Sequence, residues 1–147
     1  MTLVDTALKY SEMGLSVIPV RLDKKPHTKW IEYQNRRATP DEIRQWFRQW
    51  PDCMIGIVTG LISGVFVLDC DNEEAYQEIQ KLLPDSLITC IAKTPRGYHI
   101  YFLMPTDRSI TNAAGIMPGL DLRAEGGYII APPSVNGNGG KYEWLPG

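Results

Sequence analysis

A short apolar run that ends in two acidic residues constrains the fold of this chain more than any other segment. Residues 64–68 are rich in β-branched and aromatic side chains, which predicts a buried strand. Asp69 and Asp71 follow, and because side chains alternate along a strand, both carboxylates are expected on one face. A cation between them would relieve their repulsion, and oxygen ligands suit Mg²⁺ or Mn²⁺ rather than Zn²⁺. The pair therefore indicates metal-assisted chemistry on phosphates.

A second interpretation of Asp71 stays open. The segment from Asp71 to Glu74 has the pattern of a helix start, with Asp71 as N-cap and Glu74 at the third helical position. Asp69 would lie at a strand end with nothing to cap. A metal ligand can also cap a helix, so the two interpretations are compatible.

Length, composition and charge limit the class of protein. The chain of 147 residues is long enough for one domain with a core and too short for two ordinary ones. It has no apolar stretch long enough to span a bilayer and no signal-peptide pattern. Three widely spaced cysteines favour a reducing compartment over a disulfide framework or a structural zinc site, so a cytoplasmic protein is expected.

Charge is divided unevenly along the chain. The net charge of −2 argues against strong, non-specific binding of nucleic acid. Residues 21–50 nevertheless carry a net charge of +4, and residues 51–90 carry −6. A metal site beside a phosphate-binding surface explains this division, and so does chance clustering of surface charge.

The order of predicted elements indicates an α+β or mixed-sheet domain. The clearest helix start has Thr39 as N-cap, Pro40 at the first position and Glu42 completing a capping box. Gly14 is placed to end the first helix. Short Gly-containing turns are expected between strands 54–59 and 64–69, and between strands 88–93 and 98–104, the second being a type I turn at 94–97. Helices are predicted over 3–13, 39–50 and 73–83, and strands over 15–20, 54–59, 64–69, 88–93, 98–104, 120–123, 128–131 and 141–144.

Two further segments carry candidate site residues. Lys93, Arg96 and the backbone of the turn that contains Gly97 are placed to converge on an anion near His99, although a lone histidine in a strand is more often structural. Asp121 and Arg123 alternate onto one face of residues 119–123. They form either a local ion pair or a third metal ligand beside a phosphate clamp.

These motifs, in this order and spacing, resemble the prim-pol catalytic domain of the archaeo-eukaryotic primase superfamily. That family comprises bifunctional DNA primase/polymerases of plasmids, phages and other mobile elements. The resemblance covers nearly the whole chain. Its segments are residues 7–10 and 17–20, Lys24-Lys25-Pro26, and residues 55–60, 63–64, 67–71, 94–102, 118–123 and 126–134.

The resemblance implies roles for single residues. Asp69, Asp71 and Asp121 would bind two catalytic Mg²⁺ or Mn²⁺ ions, and His99 would contact the phosphates of the incoming nucleotide. Many superfamily members carry Ser where this chain has Gly97, so a backbone N–H is expected to replace that hydroxyl. The zinc-binding Cys/His cluster of some relatives is absent from the sequence. The implied fold is an RRM-like sheet that carries the site and packs against a small N-terminal α/β unit.

The implied activity is template-directed nucleotidyl transfer by residues 1–147, as one domain of a longer replication protein. Its partners would be a single-stranded DNA template, a primer, nucleoside triphosphates and appended helicase or primase C-terminal domains. Two other hypotheses stay open: a metal-dependent nuclease of a replication initiator, and a non-catalytic module that binds nucleotides or single-stranded DNA. The expected nucleotide-binding residues are Lys93, Arg96, Gly97, His99 and Arg123, and the expected template-binding residues are Lys24, Lys25, Arg44 and Arg48.

Overall fold

The computed structural model describes residues 1–87 and 89–146, and it confirms the α+β class. The helices of this part of the chain are α1 (Leu3–Glu12), α2 (Pro40–Gln49) and α3 (Glu73–Leu82), with a 3₁₀ helix at Trp30–Gln34. The strands are β1 (Ser16–Val20), β2 (Met54–Val58), β3 (Val65–Cys70), β4 (Ile91–Lys93), β5 (Tyr98–Leu103), β6 (Ala113–Met117), β7 (Leu120–Arg123), β8 (Tyr128–Ala131) and β9 (Glu143–Trp144).

Local signals set the ends of the first two helices. The hydroxyl of Thr39 accepts a hydrogen bond from the backbone N–H of Glu42, and the Glu42 carboxylate accepts one from the backbone of Thr39, which confirms the predicted capping box. Pro40 occupies the first turn, as expected. Gly14 follows α1 with φ +94°, a conformation that disfavours residues with a Cβ, so the helix ends there.

A three-stranded antiparallel sheet in the order β1-β2-β8 forms the N-terminal unit. Helices α1 and α2 pack on β1, and all residues of β1 and β2 are buried. The third strand, β8, comes from the other end of the chain. The expected N-terminal α/β unit is therefore completed by residues 128–131.

A six-stranded antiparallel sheet in the order β6-β7-β3-β5-β4-β9 forms the rest of the fold. Tyr76 and Ile79 of α3 pack on one face, where Cys70, Ile100 and Leu120 form the core. Side chains of the opposite face belong to the core shared with the N-terminal unit. The sheet is therefore covered by α3 on one side and, in part, by the N-terminal unit on the other.

Several predicted connections differ from the observed ones. Strands β2 and β3 are adjacent in sequence but lie in different sheets, joined by a single bridge between Gly60 and Val65. Strand β6 was not expected, and the strand predicted at 88–93 covers only Ile91–Lys93, with Ile88 outside the described residues. The RRM-like arrangement remains an expectation from the resemblance.

Candidate active site

A row of three polar side chains crosses adjacent strands of the six-stranded sheet. Asp69 on β3 lies directly opposite Asp121 on β7 and directly opposite His99 on β5. Since directly paired residues point to the same face of a sheet, the three side chains lie side by side. These residues were predicted to share one site, and strand register brings them together on the face opposite α3.

Asp69, in the middle of the row, contacts a positively charged or titratable group on each side. Its Oδ1 lies 3.3 Å from Nε2 of His99, and its Oδ2 lies 3.5 Å from Nε of Arg123. Burial alone would raise the pKa of Asp69. The hydrogen bond from His99 and the charges of His99 and Arg123 outweigh burial, so the pKa of this carboxyl is lowered. Asp69 is therefore held as a carboxylate although it is largely buried.

Two groups hold the carboxylate of Asp121. Its Oδ2 accepts a hydrogen bond of 3.0 Å from Nη2 of Arg123, and its Oδ1 accepts one of 2.8 Å from the backbone N–H of Gly115. The local ion pair considered from the sequence is thus present. Arg123 contacts Asp69 as well, so one guanidinium bridges two carboxylates of the row.

Asp71 lies past the end of β3 and is half exposed. Its Oδ2 accepts a hydrogen bond of 2.6 Å from Nη2 of Arg96, in the turn between β4 and β5. The prediction that Asp71 caps α3 is wrong. The N-cap is Asn72, whose side chain accepts the N–H of Ala75, while the Asp71 N–H donates to the carbonyl of Gly119. The Asp71 carboxylate is therefore free of any capping role and points to Arg96.

Gly97 is required by close approach of two backbone segments. A Cβ at this position would lie 1.9 Å from the carbonyl oxygen of Cys70 and 2.9 Å from the backbone nitrogen of Asn72. A serine is therefore excluded by the backbone itself. The N–H of Gly97 donates to the hydroxyl of Thr94, and the Thr94 N–H donates to the Gly97 carbonyl. This N–H closes the turn, so the structure does not leave it open to replace a serine hydroxyl.

A cavity of about 850 Å³ connects these groups. Its charged wall contains all three aspartates of the predicted site together with both arginines and His99. The remaining walls come from the segment that follows β1, from β8 and from the loop before β9. Several residues outside the predicted set also line the cavity, among them Asp23, Trp30, Asn112, Tyr128, Asn136 and Tyr142. Their sequence signals were weak, because loop asparagines and isolated aromatics are common in any fold.

The remaining predicted residues do not all lie at this cavity. Lys24 lines it, whereas Lys25, Arg44 and Arg48 are not among the described residues of its walls. Arg44 pairs with an aspartate of its own helix, α2. Lys93 lies over the ring of Tyr98, which stacks on Tyr76 of α3 on the opposite face of the sheet. The structure therefore separates Lys93 from Arg96, His99 and Arg123, and Gly97 is likewise not among the described residues of the cavity walls.

The donor atoms fit a hard divalent cation by their chemistry, since all three acids of the site offer carboxylate oxygens. Their positions are not those of a preformed centre. Within residues 1–87 and 89–146, no group of three or more His, Cys, Asp or Glu side chains is arranged to hold a metal ion. The guanidinium groups of Arg96 and Arg123 lie against the carboxylates instead, so a cation would have to replace them there.

Fold and site together define a class of protein: an α+β domain whose antiparallel sheet carries an acidic row and two arginines in a cavity. The model of the Prim-Pol family, described as the N-terminal domain of bifunctional DNA primase/polymerases, matches residues 7–147, and the chain belongs to this family. Membership supports primase/polymerase activity of the nucleotidyltransferase type in general. A search of curated proteins gave no match. Among the described helices, none has the length and apolar character needed to cross a membrane.

Proposed function

We propose that the chain is the catalytic domain of a DNA primase/polymerase that adds nucleotides to a 3′-hydroxyl under the direction of a DNA template. The observation that carries the proposal is the row of Asp121, Asp69 and His99 in one cavity with Asp71. Family membership supports nucleotidyl transfer as the chemistry proposed for that cavity. Replication of a mobile element is the biological setting that we propose from the sequence resemblance.

The acidic residues would hold the cations of the reaction. Asp69, Asp71 and Asp121 would bind two Mg²⁺ or Mn²⁺ ions, which supply activation of the attacking hydroxyl and neutralisation of the triphosphate. Register fixes two of these carboxylates as direct neighbours on β3 and β7. Their separation is thus set by the backbone ladder rather than by flexible loops.

The two arginines of the cavity would bind the phosphates. Each already donates to a carboxylate, Arg96 to Asp71 and Arg123 to Asp121, so each presents N–H groups in a geometry that suits an anionic oxygen. With cations held by the carboxylates, Arg96 and Arg123 would bind the triphosphate in place of the aspartates. His99 is nearly fully buried, and its contact with Asp69 orients that carboxylate.

The proposed substrates and partners are a single-stranded DNA template, a primer and nucleoside triphosphates, with helicase or primase C-terminal domains appended in the longer protein. Lys25, Arg44 and Arg48 are exposed and basic, and they would guide the template backbone through charge. Net charge of −2 makes this attraction weak. Appended domains would supply further affinity for the template.

Primer extension tests the proposal. The Asp69→Asn variant keeps the size of the side chain and removes its charge, so incorporation should fall at least about 100-fold with the fold retained. Asp85→Asn is the matched control, because Asp85 is an exposed acid in the turn region after α3. Wild-type rates for Asp69→Asn, with metal still required, would contradict the assignment.

The same assay separates the two competing hypotheses. A labelled primer that becomes shorter identifies a nuclease, and a mobility shift without extension or shortening identifies a binding module. The nuclease hypothesis needs paired histidines. The chain has two, and only His99 lines the site cavity, because His27 stacks on Trp50 at the edge of a separate groove.

A further inference from the structure

The turn after β1 places one lysine at the site cavity in an unfavourable backbone conformation. Lys24 has φ +73°, and among the described residues it is the one non-glycine position with positive φ. Residues with a Cβ disfavour this conformation, and glycine or asparagine adopts it far more readily. An unfavourable backbone conformation of a non-glycine residue in a cavity wall motivates the hypothesis of a functional role for its side chain.

Hydrogen bonds hold the Lys24 backbone on both sides. Its N–H donates to the carbonyl of Arg21 at 2.8 Å, and its own carbonyl accepts a bond of 2.7 Å from the hydroxyl of Tyr128 on β8. The Asp23 side chain accepts the N–H of Lys25, which closes the same turn. The turn is thereby fastened to the wall of the cavity, and Lys24 is presented from a fixed backbone.

The charges of the cavity show which cation is uncommitted. Its acidic lining residues are Asp23, Asp69, Asp71 and Asp121, and its basic ones are Lys24, Arg96 and Arg123. Both arginines form ion pairs with the site carboxylates. Across residues 1–87 and 89–146, no ion pair to Lys24 is found. Among the basic residues of the cavity, Lys24 is therefore the one that can bind an anion without first breaking an ion pair.

We propose that Lys24 binds the triphosphate of the incoming nucleotide from the part of the cavity wall that follows β1, rather than the template as the sequence suggested. The proposal rests on the function proposed above. It assigns Lys24 and Lys25 to different ligands, since Lys24 lines the cavity and Lys25 does not contribute to its described walls. Lys24 is then a substrate-binding residue carried by the N-terminal unit.

Removing the charge of Lys24 tests this proposal in a binding assay that does not depend on catalysis. Lys24→Met keeps the length of the side chain, and Lys25→Met is the matched control one residue away. Binding of a fluorescent nucleoside triphosphate in Mg²⁺ should weaken about tenfold or more for Lys24→Met and remain near wild type for Lys25→Met. Affinity for a labelled single-stranded oligonucleotide should be unchanged by Lys24→Met.

Lys24→Gly separates binding from folding. Glycine removes the unfavourable φ, so the thermal midpoint should match or exceed that of Lys24→Met, while triphosphate binding stays weak. Wild-type affinity in either Lys24 variant overturns the proposal. Weaker oligonucleotide binding in Lys24→Met, with triphosphate binding unchanged, also overturns it and returns Lys24 to the template.

Failure of this proposal is distinguishable from failure of the proposed function. Unchanged triphosphate binding in Lys24→Met, with incorporation abolished in Asp69→Asn, rejects the lysine assignment alone. A wild-type protein that neither binds triphosphate nor extends a primer rejects both.

Discussion

Replacement of Gly97 by alanine should damage both the stability of the fold and the site. Gly97 lies at the end of the turn between β4 and β5, against the junction of β3 and α3. The new Cβ would lie 1.9 Å from the carbonyl oxygen of Cys70, where ordinary contact begins at 3.4 Å. The atoms that the new Cβ would meet belong to the backbone of Cys70 and Asn72. The turn and the strand must therefore separate by about 1.5 Å, because no side-chain rotation relieves the contact.

The severity of this clash sets the expected loss of stability. Overpacking in a well-packed region costs about 1–3 kcal/mol, and a clash with backbone belongs at the upper end. Each kcal/mol lowers the melting temperature of a protein of this size by about 2–4 °C, so a decrease of about 6–12 °C is expected. Movement of the turn away from β3 also shifts Arg96 and His99 relative to Asp71. A displacement of about 1 Å in a catalytic constellation costs about 100-fold in rate, which sets the expected loss of primer extension.

Thermal unfolding followed by circular dichroism measures the decrease in melting temperature. Gly137→Ala is the control, because a Cβ there would meet only Leu22, at an ordinary distance of 3.6 Å, and Gly137 has no positive φ. The control should unfold within about 2 °C of wild type. If Gly97→Ala also unfolds within that margin, the close approach inferred at Gly97 is wrong, and so is the exclusion of serine from this position.

Two further predictions concern stability. A hydrogen bond from Arg36 chiefly lowers the pKa of Glu42 to about 2, so its stabilising effect should be complete above the unfolded pKa of about 4.5 and disappear as pH falls toward 2. Urea unfolding should therefore show Glu42→Gln less stable than wild type by about 1 kcal/mol at pH 6, the pair being partly exposed, and nearly equal at pH 2; a constant difference would contradict this origin. Tyr10→Phe removes a hydroxyl that donates to the carbonyl of Pro132 and accepts from the indole N–H of Trp144, and should cost about 1–3 kcal/mol. An unchanged denaturation midpoint would show that these long-range bonds do not contribute to stability.

The sequence predicted those parts of the fold that depend on near neighbours. The start of α2 is an example, because Thr39, Pro40 and Glu42 act within one helical turn. The start of α3 was misplaced by one residue, since Asp71 and Asn72 are both good caps. In the structure the Asp71 N–H donates to the carbonyl of Gly119 and the Asp71 carboxylate accepts from Arg96, and both partners are distant in sequence. No local pattern contains that information.

The positions of strands could likewise be predicted from the sequence, whereas their pairing partners could not. Apolar runs rich in β-branched residues predicted where β2 and β3 run, but such runs do not specify a partner, and the two strands lie in different sheets. Strand β6 was missed because Ala113, Ala114 and Gly115 have low strand propensity, and pairing with β7 is what holds them. In the site, the acids of β3 and β7 were found as candidates, whereas the face on which Lys93 lies depends on the register of β4 against β5.

The row of Asp121, Asp69 and His99 determines how an error in strand register would affect the folded protein. Because side chains alternate between the faces of a sheet, a slip of β3 by one residue would turn Asp69 toward α3 and bring Leu68 or Cys70 into its place. A misregistered molecule would then lack the central carboxylate altogether, and it would bury a charge against the apolar face of α3. Errors in strand pairing should therefore produce inactive molecules that unfold readily, rather than stable ones that copy DNA inaccurately.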